Sequence, residues 1–455
     1  MKIFTLCILC FFTAFHVLGQ TYYEGTVGSL KFGLKVEKEE QKAALYIPEQ
    51  GLFEYAFKAP VFRNDSLIAD LKEFGTILSG KVNTETFLGQ WKQNGFPAPL
   101  ALKRVEQLSF LKRPQVPVPP FPYESENVNF TNADQSIQFG GTLTFPRGKG
   151  KFPTVILITG SGQQDRDETL FGHKPFWVIA DALSREGFAV LRIDDRGVGE
   201  TTGKVGTSAD YAQDVLAALR FLKSRKEINS KKIGLIGHSE GGMIAPIVAV
   251  QSKDVAFMVS LAGLGVGGRT LLLKQSDDIL AKTGANAAYR ANVQSLNAAL
   301  YEVAFRLPLE SDIKDSLQLA FDNWLKAQPD AVLGQMGFKS EVGKKSVTRQ
   351  FDQIGSKWYR YFLKYDPQPI LAQINIPVLA LNGSNDVQVS AKENLAGFEK
   401  GLTAAGNKNF KTVELPGLNH LFQKCQKCTA AEYGMLEETF SVDALKVILD
   451  WLKKQ

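Results

Sequence analysis

From Tyr22 to about Val105, apolar and polar residues alternate at period two. In SLKFGLKV this places Leu30, Phe32, Leu34 and Val36 on one side, and DSLIADL and TFLGQW repeat the habit. Such alternation predicts strands with one buried face, and the Gly, Asn and Asp turns between them keep each strand short. Residues 20–112 therefore read as a small antiparallel all-β domain. RPQVPVPPFPY, Arg113 to Tyr123, follows; its prolines favour extended chain and support neither a central strand nor a helix, so 113–123 reads as a linker.

Beyond Tyr123 the rhythm changes. FPTVILITG, FAVLRIDDRG, KKIGLIG and VAFMVSLAG are apolar on both faces and read as buried strands. Between them FWVIADALSREG, ADYAQDVLAALRFLKSR and GGMIAPIVAVQ have helical spacing. Two-faced apolar strands alternating with helices predict an α/β fold, a mostly parallel sheet with helices on both faces, over 124–455. The alternation stops at about Leu264 and resumes after Asp366 with IPVLALNG, NFKTVELPG and the helix VDALKVILDWLKK. The intervening 264–366 is helical in pattern, as in NAAYRANVQSLNAALYEVAFRL, and is expected to cap the carboxyl edge of the sheet.

The N-terminus departs from both patterns. MKIFTLCILCFFTAFHVLGQ carries one early cation, Lys2, then an apolar run shorter than a membrane span, then Gly19 before polar residues. These flanks predict a secretory signal over 1–19, an exported chain, periplasmic or extracellular, and no stable membrane span after cleavage. Cys7 and Cys10 would leave with the signal. Cys425 and Cys428 then remain, and in an exported chain a lone C-x-x-C pair closes a small disulfide; zinc needs three or four ligands and only His420 is nearby. The 455 residues, 44% hydrophobic and 22% charged, suffice for two or three domains. The net charge of +6 is spread without basic blocks, so nothing in it marks a nucleic-acid partner. Oligomeric state is not legible at this level.

The chemistry gathers at KKIGLIGHSEGGMIAP, where a strand ends in glycine and a helix begins at once. Gly237 and Gly241 allow a turn sharp enough to leave the Ser239 hydroxyl exposed, with a helix N-terminus behind it. The backbone N–H of Glu240 then faces an oxyanion formed beside the serine. A serine needs a base and an orienting carboxylate. Of the histidines beyond the signal, His238 is poorly directed for its own neighbour, and His173 in LFGHKPFW reads as a helix cap or cleft-wall residue. His420, in the loop after VELPG, suits the chain order serine, acid, histidine. The acid is then Asp386, the carboxylate in the loop of LNGSNDVQV. LITGSGQQDRDE follows an early strand, and the N–H of Ser161 is the second expected oxyanion donor. No metal or organic cofactor is called for.

LITGSGQQDRDE, RIDDRGVGETTG, GLIGHSEGGMIAP, LNGSNDVQV and GLNHLFQ resemble, in order, the motifs of bacterial α/β-hydrolase-fold serine esterases with a G-H-S-E-G-G elbow. The resemblance covers roughly 124–455 and implies the same three residues: Ser239 as nucleophile, Asp386 as acid and His420 as base. It also implies a small-molecule ester substrate and an acyl-enzyme intermediate. The chain departs from the common lipase pattern in lacking an H-G-G-G loop, which bears on the oxyanion hole. A peptidase with the same triad is the nearest alternative, and a protein in which the β domain captures glycan or peptide is another. Three further motifs read as structural. GLGVGG, 263–268, lacks the acidic residue a dinucleotide site needs and is expected to be a flexible entrance to the cap; DDRGVG is a turn supporting nearby loops; WYRYFLKY, 358–365, is core packing under the cap or a substrate platform.

Overall fold

A computed structural model of the chain describes residues 20–50, 52–71, 75–93, 95–110 and 112–455. The expected signal, with Cys7 and Cys10, lies outside the described residues. The chain divides into two compact units, one ending at Lys112 and one beginning at Arg113.

The first unit is a meander of nine antiparallel strands: β1 (Thr21–Val27), β2 (Leu30–Glu37), β3 (Lys42–Ile47), β4 (Leu52–Ala56), β5 (Val61–Arg63), β6 (Ser66–Leu71), β7 (Thr76–Val82), β8 (Thr86–Gln93) and β9 (Phe96–Val105). Their order is β4-β3-β2-β1-β9-β8-β7-β6-β5, so the last strand returns to pair with the first. The alternating residues do what their spacing predicts. Phe32, Leu34 and Val36 of β2 are buried with Leu67, Leu78, Phe87, Trp91 and Leu102 on one face. Phe32 and Trp91 meet edge to face at 5.3 Å although β1 and β9 lie between their strands, so the sheet curls around this face.

The second unit is built on eight strands: β10 (Tyr123–Thr131), β11 (Gln138–Pro146), β12 (Phe152–Ile158), β13 (Ala189–Ile193), β14 (Ile228–His238), β15 (Val255–Leu261), β16 (Val378–Gly383) and β17 (Phe410–Leu415). Their order is β10-β11-β13-β12-β14-β15-β16-β17. β11 runs antiparallel to both neighbours and the remaining pairings are parallel. Helices α1 (Pro175–Arg185), α2 (Ser208–Ser224) and α3 (Glu240–Gln251) connect the first parallel strands. The core is the run of apolar strand residues themselves, Val155 to Leu157, Val190 and Leu191, Leu235 and Ile236, Met258 and Val259, all essentially inaccessible to solvent. Both faces are covered, as the absence of polar alternation in these strands requires.

Between β15 and β16 lie eight helices, and the first seven belong to the insertion: α4 (Gly268–Lys282), α5 (Ala287–Arg306), α6 (Lys314–Ala327), α7 (Asp330–Gln335), α8 (Glu341–Thr348), α9 (Phe351–Gly355) and α10 (Lys357–Lys364). They carry a core of their own around Leu300, Leu317, Phe321, Trp324 and Phe351. The entrance to this insertion differs from expectation: it is close-packed, where flexibility was predicted. A Cβ on Gly265 would stand 1.9 Å from the Asn394 carbonyl oxygen, and one on Gly268 1.8 Å from that of Phe362. These glycines serve close backbone approach. The chain closes with α11 (Gln368–Leu371), α12 (Ala391–Ala404), α13 (Ala430–Tyr433) and α14 (Val442–Leu452).

The proline-rich stretch also differs from a free linker, because its first residues are fastened to the second unit. Arg113 donates to the carbonyls of Gly434 and Leu436, while Gln115 donates to the Phe440 carbonyl and accepts from the N–H groups of Thr439 and Phe440.

Candidate active site

Strand β14 enters the turn with Gly237 and His238, and α3 leaves it at Glu240. Ser239 between them has φ 53° and ψ −115°, a region that non-glycine residues occupy only at a cost of about 1–3 kcal/mol. The residues two positions before and after it must be glycine. A Cβ on Gly237 would lie 2.0 Å from the Gly241 carbonyl oxygen, and one on Gly241 2.1 Å from that of Ile158 on β12. The strain is held by bonds on both sides: the Ser239 N–H donates to the Leu261 carbonyl at 2.8 Å, and the Ser239 carbonyl accepts from Gly242 at 2.9 Å.

Ser239 and His420 line one cavity of about 480 Å³ above the carboxyl ends of the strands. His420 lies in the loop after β17. Its Nδ1 is 2.8 Å from Asp386 Oδ2, and both side chains are buried. The other oxygen of Asp386 accepts from the backbone N–H of Gln388 and of Val389, each at 2.8 Å, and Asn382 Nδ2 approaches Oδ2 at 3.3 Å. A carboxylate held this way keeps the proton of His420 on Nδ1 and leaves Nε2 to accept one. The His420 loop is itself pinned: buried Asn419 accepts from the N–H groups of Leu421 and Gln423 and donates to the Gln423 side chain.

The loop after β12 supplies the third wall. Gly160 sits against the nucleophile, since a Cβ there would lie 3.3 Å from Ser239 Cβ. Ser161 follows it and lines the same cavity. As the first residue of α3, Glu240 has an N–H with no partner inside the helix. Downstream, the QDRDE stretch is an anchoring device. Asp165 accepts from the N–H groups of Asp167 and Thr169. Arg166 pairs with buried Asp194 and reaches Thr142, and Asp167 pairs with Arg192. Asp195 takes the Thr159 hydroxyl at 2.8 Å and the Gln164 N–H at 2.9 Å; burial pushes its carboxyl up to about 7. DDRGVG thus supports this loop through both its aspartates, as its sequence suggested.

Two further carboxylates were not singled out from sequence. Glu168, buried and at φ 51°, accepts from the Gly160 N–H at 2.8 Å and meets His238 Nδ1 at 2.9 Å through the same oxygen. The other nitrogen of His238 lies 3.0 Å from the His420 carbonyl oxygen. Although burial opposes it, the charge of Glu168 pushes the His238 imidazole up from its ordinary range. The side chain of Glu240 is buried and accepts from the Ser208 hydroxyl at 2.6 Å and from Trp358 Nε1 at 2.9 and 3.0 Å. Burial pushes its carboxyl up. Local sequence carries no signal for these pairs, because the partners stand 70, 182 and 118 positions apart.

His173 is neither a helix cap nor a cleft wall. It is fully buried, Lys174 holds the cap position of α1, and the ring bridges the Thr439 hydroxyl at 2.9 Å and the Tyr433 carbonyl at 3.0 Å. Burial, with the charge of Arg113, pushes it down to about 3. Its Nε2 also lies 3.1 Å from Gln423 Nε2, so that nitrogen faces both an amide donor and the Tyr433 carbonyl. Of the aromatic cluster in α10, Trp358, Tyr359 and Phe362 line the cavity while Tyr359, Phe362 and Tyr365 are buried, which joins the two roles expected of it. Cys425 and Cys428 form a disulfide in the loop that carries His420.

An eight-stranded sheet of this order, with its second strand reversed and a serine on a left-handed turn after its fifth, defines an α/β-hydrolase. Residues 176–311 match the family described as serine aminopeptidase, S33. Esterase EstD of Thermotoga maritima is 26% identical over 299 residues, which are 64% of this chain and 60% of EstD. The chain thus matches about three fifths of that relative's length. A 31.7 kDa protein of the traX-finO intergenic region of Escherichia coli is 24% identical over 326 residues, 70% of this chain and 98% of its own. Among solved structures, the Pyrococcus furiosus esterase Pf2001 is 18% identical with a TM-score of 0.44, covering 76% of this chain and 99% of its own. Est1E from Butyrivibrio proteoclasticus is 16% identical with a TM-score of 0.40, covering 72% and 96%.

Proposed function

We propose that this chain is an exported serine hydrolase that cleaves carboxylic esters through an acyl-enzyme. Ser239 attacks the ester carbonyl carbon. His420 Nε2 takes the hydroxyl proton and returns it to the departing alkoxide, while Asp386 holds the imidazole and balances its charge. The N–H groups of Glu240 and Ser161 hold the oxyanion, each worth about a hundredfold or more in rate. Water, activated by His420, then releases the acid. The helical insertion acts as a cap, a reading supported by Leu271, Tyr301 and Trp358, which line the same cavity as the nucleophile. Export rests on the charge and hydropathy pattern of residues 1–19.

The observation that carries the reading is the strained backbone of Ser239 in the same cavity as a histidine already bonded to a buried aspartate. Ester is favoured over peptide by the cavity lining. Glu168 is the one carboxylate among the described residues that line it, and its charge is already paired with His238, so it is a poor anchor for a peptide's α-ammonium. The name of EstD points the same way. The description of the matching family supports an aminopeptidase as the second reading. Turnover of short-chain nitrophenyl esters and of aminoacyl anilides by the wild type and Ser239→Ala separates them. Ester turnover abolished by the substitution is expected; anilide turnover with negligible ester turnover would overturn the choice.

A further inference from the structure

Every turn of the site is braced, and one brace runs through its centre. His238 directly precedes the nucleophile and has no place in the proton transfers described above. Both its nitrogens are nevertheless engaged: Nδ1 with Glu168 at 2.9 Å and Nε2 with the His420 carbonyl oxygen at 3.0 Å. A carbonyl and a carboxylate can only accept, so the ring donates on both sides as an imidazolium paired with Glu168. The same carboxylate oxygen accepts from Gly160, whose neighbour Ser161 is the oxyanion donor, at 2.8 Å. Glu168 adopts the left-handed φ of 51° while buried, a conformation that persists only when its surroundings hold it. The His238 and His420 ring centroids lie 4.8 Å apart.

We infer that Glu168 and His238 form one positioning unit that ties the oxyanion loop, at Gly160, to the base loop, at the His420 backbone, across the nucleophile. The inference rests on the acyl-transfer reading and extends it. The unit lines the cavity but takes no part in moving the proton; it fixes the distance between the group that stabilises the oxyanion and the group that moves the proton. Such registration matters most in the transition state, where both must act on one tetrahedral carbon. Removing the unit therefore lowers kcat and leaves KM nearly unchanged.

The test uses the full chain with a short-chain nitrophenyl ester and an alkyl boronic acid, which forms a tetrahedral adduct with a serine. Glu168→Ala and His238→Gln are each expected to lower kcat on the order of 10- to 100-fold, less than the complete loss of an oxyanion donor. KM should stay within threefold, and boronate affinity should fall in parallel with kcat. The double variant should lose no more than the worse single one, because the two residues act as a unit. Glu168→Gln guards against misfolding. With its charge gone His238 turns neutral, and the amide can serve either Gly160 or His238 but not both, so kcat should again fall at constant KM. Folded variants that keep kcat within threefold, additive losses in the double variant, or a kcat loss without weaker boronate binding would each overturn the inference. A wild type that neither turns over ester nor binds boronate would instead bring down the acyl-transfer reading beneath it.

Discussion

Asp386→Asn exchanges one oxygen for a nitrogen, and the surroundings decide where that nitrogen goes. Asp386 Oδ1 faces two backbone donors, the N–H groups of Gln388 and Val389, each at 2.8 Å. An amide NH₂ placed there would oppose both, costing about 1–3 kcal/mol for each unsatisfied group. The amide oxygen therefore keeps the Oδ1 position and the NH₂ takes the Oδ2 position, 2.8 Å from His420 Nδ1. That choice gives up only the long 3.3 Å approach of Asn382 Nδ2 to the Oδ2 position, and the Asn382 amide retains its 2.7 Å bond to the Val389 carbonyl. Facing a donor, His420 must offer a bare Nδ1, and its proton moves to Nε2, the nitrogen that has to accept from Ser239. In a serine protease this tautomer reversal costs about 10⁴ in kcat, roughly 5.5 kcal/mol of activation energy. The assay is kcat and KM on a short-chain nitrophenyl ester at neutral pH, with thermal unfolding as the control for folding. A folded variant that keeps kcat within tenfold of wild type would refute the role assigned to Asp386.

Two other outcomes test the scaffold. Gly241→Ala places a Cβ 2.1 Å from the Ile158 carbonyl oxygen, a backbone atom that cannot swing away, so the variant should lose about 3 kcal/mol or more in denaturant unfolding, together with activity. For His173 the expected signature is in pH. The folded ring stays neutral down to about 3 while the unfolded chain protonates near 6.5, so in that window the unfolded state holds the extra proton. Stability then falls as pH is lowered, by about 1.4 kcal/mol per unit, and is fully restored above 6.5. His173→Gln should flatten this slope in urea unfolding between pH 4 and 6; an unchanged slope would place the ring's titration elsewhere.

What was legible in the sequence was what has a local period. The two-faced strands β12 to β16 and the elbow between β14 and α3 stand out because each is one uninterrupted run of like residues. The alternating strands of the first unit stand out for the same reason. The hairpin β10–β11 was not singled out: YESENVNFT buries only Tyr123 and Val128 outright and has no clear alternation. Ser239, Asp386 and His420 could be proposed from sequence because each sits in a short loop after a strand, in the chain order expected for this fold. The braces could not. Glu168 lies among seven consecutive polar residues, Gln163 to Thr169, that look like a solvated turn, and only the folded chain brings it against His238, 70 positions on. His173 was misplaced because a polar residue just before a helix ordinarily caps it, whereas here the ring turns inward to the chain around Tyr433 and Thr439.

The central claim is that Ser239 becomes acylated. Mixing enzyme with excess nitrophenyl acetate, quenching in acid within the first turnover and mapping the peptides by mass should locate the acetyl group on Ser239, with a burst of nearly one nitrophenolate per chain. Hydrolysis proceeding with no adduct on that residue, or with an adduct elsewhere, would contradict it.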